Sequence, residues 1–208
     1  SVDGILQRLK IDHLDSLLLH RPDALMESDQ VAEAFDLLYK QGKVRDFGVS
    51  NQNPMMMELL KKDVKQPLAV NQLQLSAAFT PGIESGFHVN MEDSQAAMRD
   101  GSIFEYCKLH DVVIQAWSVL QFGYFKGNFV GNEKFQALNQ VLDRLAIKYG
   151  VTSSTIAISW ILRYPAKMQA VVGTTNPKHL REVSQAANFS LTRKEWYEIY
   201  LAAGNNLP

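Results

Sequence analysis

With a single cysteine among 208 residues, Cys107, the chain has no means of forming an intramolecular disulfide. A disulfide-stapled secreted scaffold is excluded, and a reducing, cytoplasmic compartment is expected. Charge of either sign is equally scarce: 21 Lys and Arg against 22 Asp and Glu leave a formal −1. That balance offers no field to draw in nucleic acid or an anionic membrane surface, so a small neutral or polar substrate fits better. No apolar run reaches the roughly 18 residues of a membrane span and no basic-then-apolar leader occurs, so neither membrane nor secretion is expected. No GxGxxG follows an apolar run, which removes the usual dinucleotide fingerprint of the open doubly wound sheet. Apart from His20, the histidines His13, His88, His110 and His179 are widely spaced and lack any HxxxH or CxxC partner, so no metal site is expected.

What is present is a 46% apolar chain, enough to bury the core of one ordinary globular domain. Five apolar runs, 14–19, 44–49, 69–75, 112–117 and 169–172, read as strands. Between them apolar residues recur at three and four, as in Val31, Ala34, Phe35 and Leu38, or Leu138, Leu142, Leu145, Ala146 and Tyr149. Val2, Ile5, Leu6 and Leu9 share that spacing, which predicts an opening helix with Ser1 as its cap. Cys107, set among Tyr106, Lys108 and Leu109, reads as a thiol packed on a core rather than a reactive one.

Strict helix and strand alternation predicts a parallel sheet with right-handed helical crossovers. A barrel or an open sheet satisfies that, and the missing glycine fingerprint favours the barrel. Polar or unusual residues close the strands: His20, Ser50 with Asn51, Gln72, Trp117 with Ser118, and Gly173 with Thr174. That rim is where (β/α)8 barrels keep their chemistry. Residues 76–99, with Pro81, Gly82, Gly86, Glu92 and Asp93, read as a loop over the barrel mouth. Residues 122–132, with Gly123, Gly127 and Gly131 among aromatics and Lys126 as the lone cation, read as a mobile lid rather than a nucleic-acid surface.

The segments LLLHRPD, GKVRDFGVSN, VNQLQL, QAWSVL and VVGTTNPKHLREV follow one another in this order. In that order the chain resembles the aldo-keto reductase family, and Trp196, Tyr197, Tyr200 and the closing AAGNNLP are most similar to its bacterial branch. The resemblance implies an α/β fold, the (β/α)8 TIM barrel, and NADP-dependent reduction of aldehydes and ketones by direct hydride transfer to a small-molecule carbonyl substrate. It is a resemblance to the C-terminal two-thirds of the family. Residues 1–208 are then expected to be one domain, the C-terminal portion of the barrel, with five of the eight βα units. The aspartate, tyrosine and lysine of the family's chemistry precede its HRPD strand. The functional polypeptide is therefore expected to be longer and this chain alone to turn over little. Strands 14–19 and 169–172 would be open edges, to be covered by an N-terminal segment or a second chain.

Residue by residue, the resemblance assigns His20 to orienting the substrate, a role an imidazole can fill by donating to a carbonyl oxygen that gains charge. Ser50 and Asn51 match the pair that hydrogen-bonds the nicotinamide carboxamide, with Gln72 as a third contact; taken alone, Ser50 and Asn51 read as ordinary helix caps. Trp117 matches the aromatic ring stacked on nicotinamide, and Ser118 and Leu120 match positions near the pyrophosphate. Gly173, Thr174 and Thr175, then Asn176 and Pro177 at the start of a helix, make an anion-binding turn without any family argument. In the family that loop takes the adenosine end and the ribose 2'-phosphate, with Glu182 meeting the adenine amino group. The chain departs from the pattern at Gly173, where a lysine is common, and at His179, where an arginine is common. NADP (NADPH) stays the expected cofactor and NAD the second choice, with Lys178, Arg181 or Lys148 as replacement charge. Arg21 and Asp23 read as salt-bridged rim residues. A nucleotide-binding regulatory or redox-sensing subunit is the alternative from another class. A barrel isomerase or aldolase would want a Schiff-base lysine at a strand end, and none of the five strands offers one.

Overall fold

The computed structural model describes residues 1–23, 25–87, 102–123 and 126–206. Their order is α1 (Val2–Leu9), β1 (Leu14–Leu19), α2 (Ser28–Lys40), β2 (Val44–Ser50), α3 (Pro54–Lys61), β3 (Leu68–Gln74), α4 (Pro81–Phe87), α5 (Ile103–Leu109), β4 (Val113–Trp117), α6 (Gln136–Tyr149), α7 (Ser153–Leu162), β5 (Met168–Ala170), α8 (Pro177–Ser184) and α9 (Arg193–Ala202). The strands hydrogen-bond in chain order, β1 to β5, which puts β1 and β5 at the ends of the order. The expected alternation is present, with helix pairs rather than single helices after β3 and β4. Among the described residues no single helix is long and apolar enough to cross a membrane.

The chain divides into two compact units, Ser1–Gln72 with Glu105–Ile114, and Leu73–Phe104 with Gln115–Pro208. In the first, β1 pairs parallel with β2 from Leu14 opposite Val44 to Leu19 opposite Val49, and β2 pairs parallel with β3 up to Ser50 opposite Gln72. Helix α2 makes the crossover, and its Phe35 stacks on Phe47 of β2 with ring centres 4.1 Å apart. Gly48 has to be glycine, since a Cβ there would lie 2.5 Å from the Val70 carbonyl oxygen. Cys107 is buried in this unit's core, and burial pushes its thiol up to about 12, with a weaker opposing hydrogen bond from Asn71. It is a packing residue, as its sequence setting suggests.

In the second unit the core gathers around α6, α7 and α9, with Leu138, Leu142, Leu145, Ile156, Trp160 and Tyr200 fully buried. Each of these helices begins or ends on a recognisable signal. Gly150 closes α6 at φ +66, Thr152 caps α7 by accepting from Thr155, and Thr192 with Glu195 forms a reciprocal capping box on α9.

Three expectations need correction. Ser1 occupies the N-cap position of α1 but its side chain makes no cap bond. The supposed mouth loop contains a helix, because Pro81, Gly82 and Gly86 lie in or at α4, whose Ile83, Glu84 and Ser85 are buried. Gly82 is demanded there by Phe104, which a Cβ would meet at 2.3 Å. Glu92, Asp93 and His88 lie outside the described residues. Finally, the supposed lid is anchored over its second half. Phe129 is fully buried, and Asn139 donates to the Phe129, Asn132 and Phe135 carbonyls while accepting from Gly131.

Candidate functional site

In the first unit, β2 ends in a hydrogen-bonded knot rather than a helix cap. Ser50 is 2% exposed; its Oγ donates to the Gln72 carbonyl at 2.9 Å and accepts from Asn51 Nδ2 at 2.9 Å. Asn51 sits at φ +52, unusual for a residue with a side chain, and its N–H donates to the same Gln72 carbonyl at 3.0 Å. Capping of α3 is done by Asn53, which accepts from Met56 at 2.9 Å. Ser50 and Asn51 are therefore not spent on the helix. Gln72 itself is half-buried, and its neighbour Asn71 is the fully buried amide of β3. His20 follows β1 directly and is exposed.

In the second unit, the C-terminal ends of β4 and β5 open on a cleft of about 630 Å³. Its wall contains Trp117, Ser118 and Leu120 after β4, Gly173 and Thr174 after β5, and His179 and Glu182 from α8. These seven are residues that the family resemblance assigns to cofactor. Thr175, by contrast, is exposed and outside the wall. Ser118 holds φ +54, so two of the strand ends singled out from the sequence, at Asn51 and Ser118, carry a left-handed non-glycine residue, as Lys10, Ser102 and Asp111 do elsewhere. Such strain persists where surrounding structure enforces it and collects at functional positions. A Cβ at Gly173 would meet nothing within 4 Å, so no neighbour in the chain demands glycine and a side chain would only take up cleft volume. At α8, Asn176 accepts from Lys178, and Pro177 takes the first helical position as expected.

The wall also contains residues that sequence reasoning missed. Thr152 and Ser154 start α7; Asn128 and Gln121 come from the anchored loop. Gln121 Oε1 is buried with no partner among the described residues, so it suits a donor on a bound molecule. The threonine cap behind Gly150 was a readable signal for α7, and Gln121 directly follows Leu120, whose assignment already pointed to this wall. Volume, apolar sides from Leu120, Ile158, Val171 and Val172, and convergent hydroxyls and amides together fit a dinucleotide.

Among the described residues, two tyrosines meet a lysine and a carboxylate. Tyr106 donates to Glu58 while Lys61 Nζ lies 3.3 Å from its hydroxyl, and Tyr149 donates to Glu195 at 2.9 Å. Burial, with the carboxylate's help, pushes both phenols above their ordinary pKa. A general acid near neutrality needs the opposite, so neither is assigned that role.

Residues 1–202 match the model of the Aldo/keto reductase family. The chain is 31% identical over 204 residues to 6-dehydroglucose reductase of Agrobacterium fabrum, covering 98% of this chain and 61% of that protein. It is 33% identical over 210 residues to Oxidoreductase YdhF of Escherichia coli, covering 100% of this chain and 64% of that protein. The solved aldo-keto reductase of Klebsiella pneumoniae in complex with NADPH shares the fold, with a TM-score of 0.73 at 22% identity over 95% of this chain and 61% of that one. The chain thus spans 61% and 64% of the length of these two curated relatives. With a family match over residues 1–202 and a fold shared with a solved member, the chain belongs to the aldo/keto reductase family.

Proposed function

We propose that this chain binds NADPH and serves the reduction of aldehydes or ketones to alcohols by direct hydride transfer. The observation that carries the reading is the cleft of about 630 Å³, where Trp117, Ser118, Leu120, Gly173, Thr174, His179 and Glu182 share one wall. In this reading Trp117 lays its ring against the nicotinamide, Ser118 and Leu120 line the pyrophosphate, and Gly173, Thr174 and Thr175 with the start of α8 take the adenosine ribose and its phosphate. Glu182 meets the adenine amino group. Ser50, Asn51 and Gln72 hold the carboxamide. When bound, NADPH supplies the hydride.

His20 donates a hydrogen bond to the substrate oxygen as charge develops on it, which lowers the barrier where the carbonyl becomes an alkoxide. No residue here is assigned as the acid that protonates that alkoxide. The chain by itself is therefore proposed to bind cofactor but turn over little, the five βα units being part of a (β/α)8 barrel. A further segment or second chain would cover β1, whose Leu17, Leu18 and Leu19 are only half-buried.

Quenching of tryptophan fluorescence on titration with NADPH tests the reading, with NADH in parallel and Trp117→Ala as control. Trp160 and Trp196 are 0% and 7% exposed, so Trp117 is the indole a ligand can reach. Saturable quenching lost in Trp117→Ala is expected. Quenching unchanged by that substitution sinks the stacking assignment, and no binding of either nucleotide sinks the cofactor site. Assaying reduction of generic aldehydes alongside binding separates a reductase from a nucleotide-sensing subunit.

A further inference from the structure

Two backbone anchors bracket the left-handed turn at Asn51. On one side, the Asn51 N–H donates to the Gln72 carbonyl at 3.0 Å. On the other, the carbonyl of Gln52 accepts from Asn71 Nδ2 at 2.8 Å. Asn71 is fully buried on β3, opposite Val49 of β2, so the anchor reaches the turn from inside the sheet. Gln52 is fully buried as well, and its side-chain amide has no hydrogen-bond partner among the described residues. The turn is thus held at main-chain groups on both sides, and Asn71 supplies the side-chain donor on the Gln52 side, as Ser50 does on the Gln72 side.

Packing alone does not account for an asparagine at this position. The same Nδ2 touches Met57 Sδ at 3.5 Å and the side chain also meets Cys107, so the surroundings are soft and apolar. Asn71 Oδ1 is buried with no partner among the described residues. A leucine would fill similar volume without burying an unmatched oxygen. What leucine cannot do is donate to the Gln52 carbonyl. Without that bond, one of the two anchors that hold Asn51 at φ +52 is gone, in a region that asparagine tolerates better than most residues with a Cβ but still does not favour. With both anchors in place, Asn51 Nδ2 reaches Ser50 Oγ at 2.9 Å.

We propose that Asn71 is a positioning residue for the nicotinamide end of the cofactor: by holding the Gln52 carbonyl it keeps Asn51 left-handed and aims the Ser50 and Asn51 side chains at the carboxamide. This rests on the cofactor reading above. Asn71 touches no ligand itself; it acts through the turn.

The test compares two ligands that differ only at the nicotinamide. Dissociation constants for NADPH and for 2'-phospho-ADP-ribose, which lacks the nicotinamide, are measured on the 208-residue chain, on Asn71→Leu and on the gentler Asn71→Ser. The expected result is NADPH binding weakened about tenfold in both variants, with 2'-phospho-ADP-ribose within about twofold of the unsubstituted chain. Amide exchange at the Asn51 N–H should quicken in parallel. Equal weakening of both ligands, or undiminished NADPH binding in a folded variant, overturns the positioning role. If the unsubstituted chain binds neither ligand, the cofactor reading itself fails, a result distinct from either of these.

Discussion

Trp160 and Trp196 bind each other reciprocally: each indole Nε1 donates to the other's backbone carbonyl, at 3.0 and 3.1 Å, with the rings stacked 4.9 Å apart and 10° from parallel. Two buried indoles thereby satisfy their only donors on each other's main chain, which fastens α7 to α9 behind the cleft. Trp160→Phe removes one of those bonds, takes the indole donor from the Trp196 carbonyl and opens space in a fully buried position. A loss of about 2–4 kcal/mol is expected, read from urea denaturation. A loss under about 1 kcal/mol would mean that the reciprocal pair does not hold the two helices together.

Glu195 predicts how this unit responds to acid. Burial opposes its ionisation, but the Lys148 ammonium at 2.6 Å, the Thr192 backbone and hydroxyl and the Tyr149 hydroxyl outweigh that and hold the carboxyl down to about 2. In the unfolded chain the group titrates near 4.5, so between the two values the unfolded state carries the extra proton. The stabilisation is complete above about pH 4.5 and is lost as pH falls toward 2. The melting temperature of the unsubstituted chain should therefore drop through that window, and that of Glu195→Gln should drop less steeply. Parallel profiles for the two proteins would remove Glu195 as the source.

Particular residues show what was readable in the chain. Leu14–Leu19 is recovered to the residue because its apolar run ends where the polar HRPD begins. Strand β5 spans Met168–Ala170 rather than 169–172; Val171 still donates to the Ala116 carbonyl of β4 at 2.8 Å, and it and Val172 line the cleft wall. Helix α4 was unreadable, since a proline and two glycines in seven residues imitate a loop; only the approach of Phe104 explains Gly82. Motif order led to Trp117, Gly173 and Glu182 at one cleft, because strand ends converge whatever lies between them. Asn71 escaped because a buried amide beside Gln72 looks the same in sequence whether it faces a ligand or braces a turn.

Gly48 links the sheet to the site. It stands opposite Val70, and a Cβ there would lie 2.5 Å from the Val70 carbonyl oxygen and 2.9 Å from its Cβ. Neither atom is the far end of a flexible side chain, so β2 and β3 must separate to admit a methyl group. Gly48→Ala is expected to destabilise by at least about 2 kcal/mol, the range of overpacked cores. It lies two residues before Ser50, so the Ser50 bond to the Gln72 carbonyl should loosen with it. Chemical denaturation reads the first effect and NADPH affinity the second. An alanine variant as stable as the parent would contradict the register.

The charge of the cleft bears on which dinucleotide is preferred. NADPH differs from NADH by a ribose 2'-phosphate, a group that arginine recognises in bidentate fashion. Among the described residues the cleft wall has no lysine or arginine, and its charged or titratable members are His179 and Glu182. Lys178 stands nearby on α8 but its ammonium lies 3.9 Å from the Glu182 carboxylate, on an exposed face. A fixed carboxylate without a dedicated cation in the wall holds a phosphate poorly, so discrimination between NADPH and NADH should be modest. His179→Arg should tighten NADPH about tenfold or more while leaving NADH within about twofold. Glu182→Gln should favour NADPH in the same direction by removing repulsion. Fluorescence titrations with both nucleotides decide the matter: an equal gain for both would place residue 179 away from the 2'-phosphate, and a strong NADPH preference in the unsubstituted chain would show that Lys178 or Arg181 already supplies the missing charge.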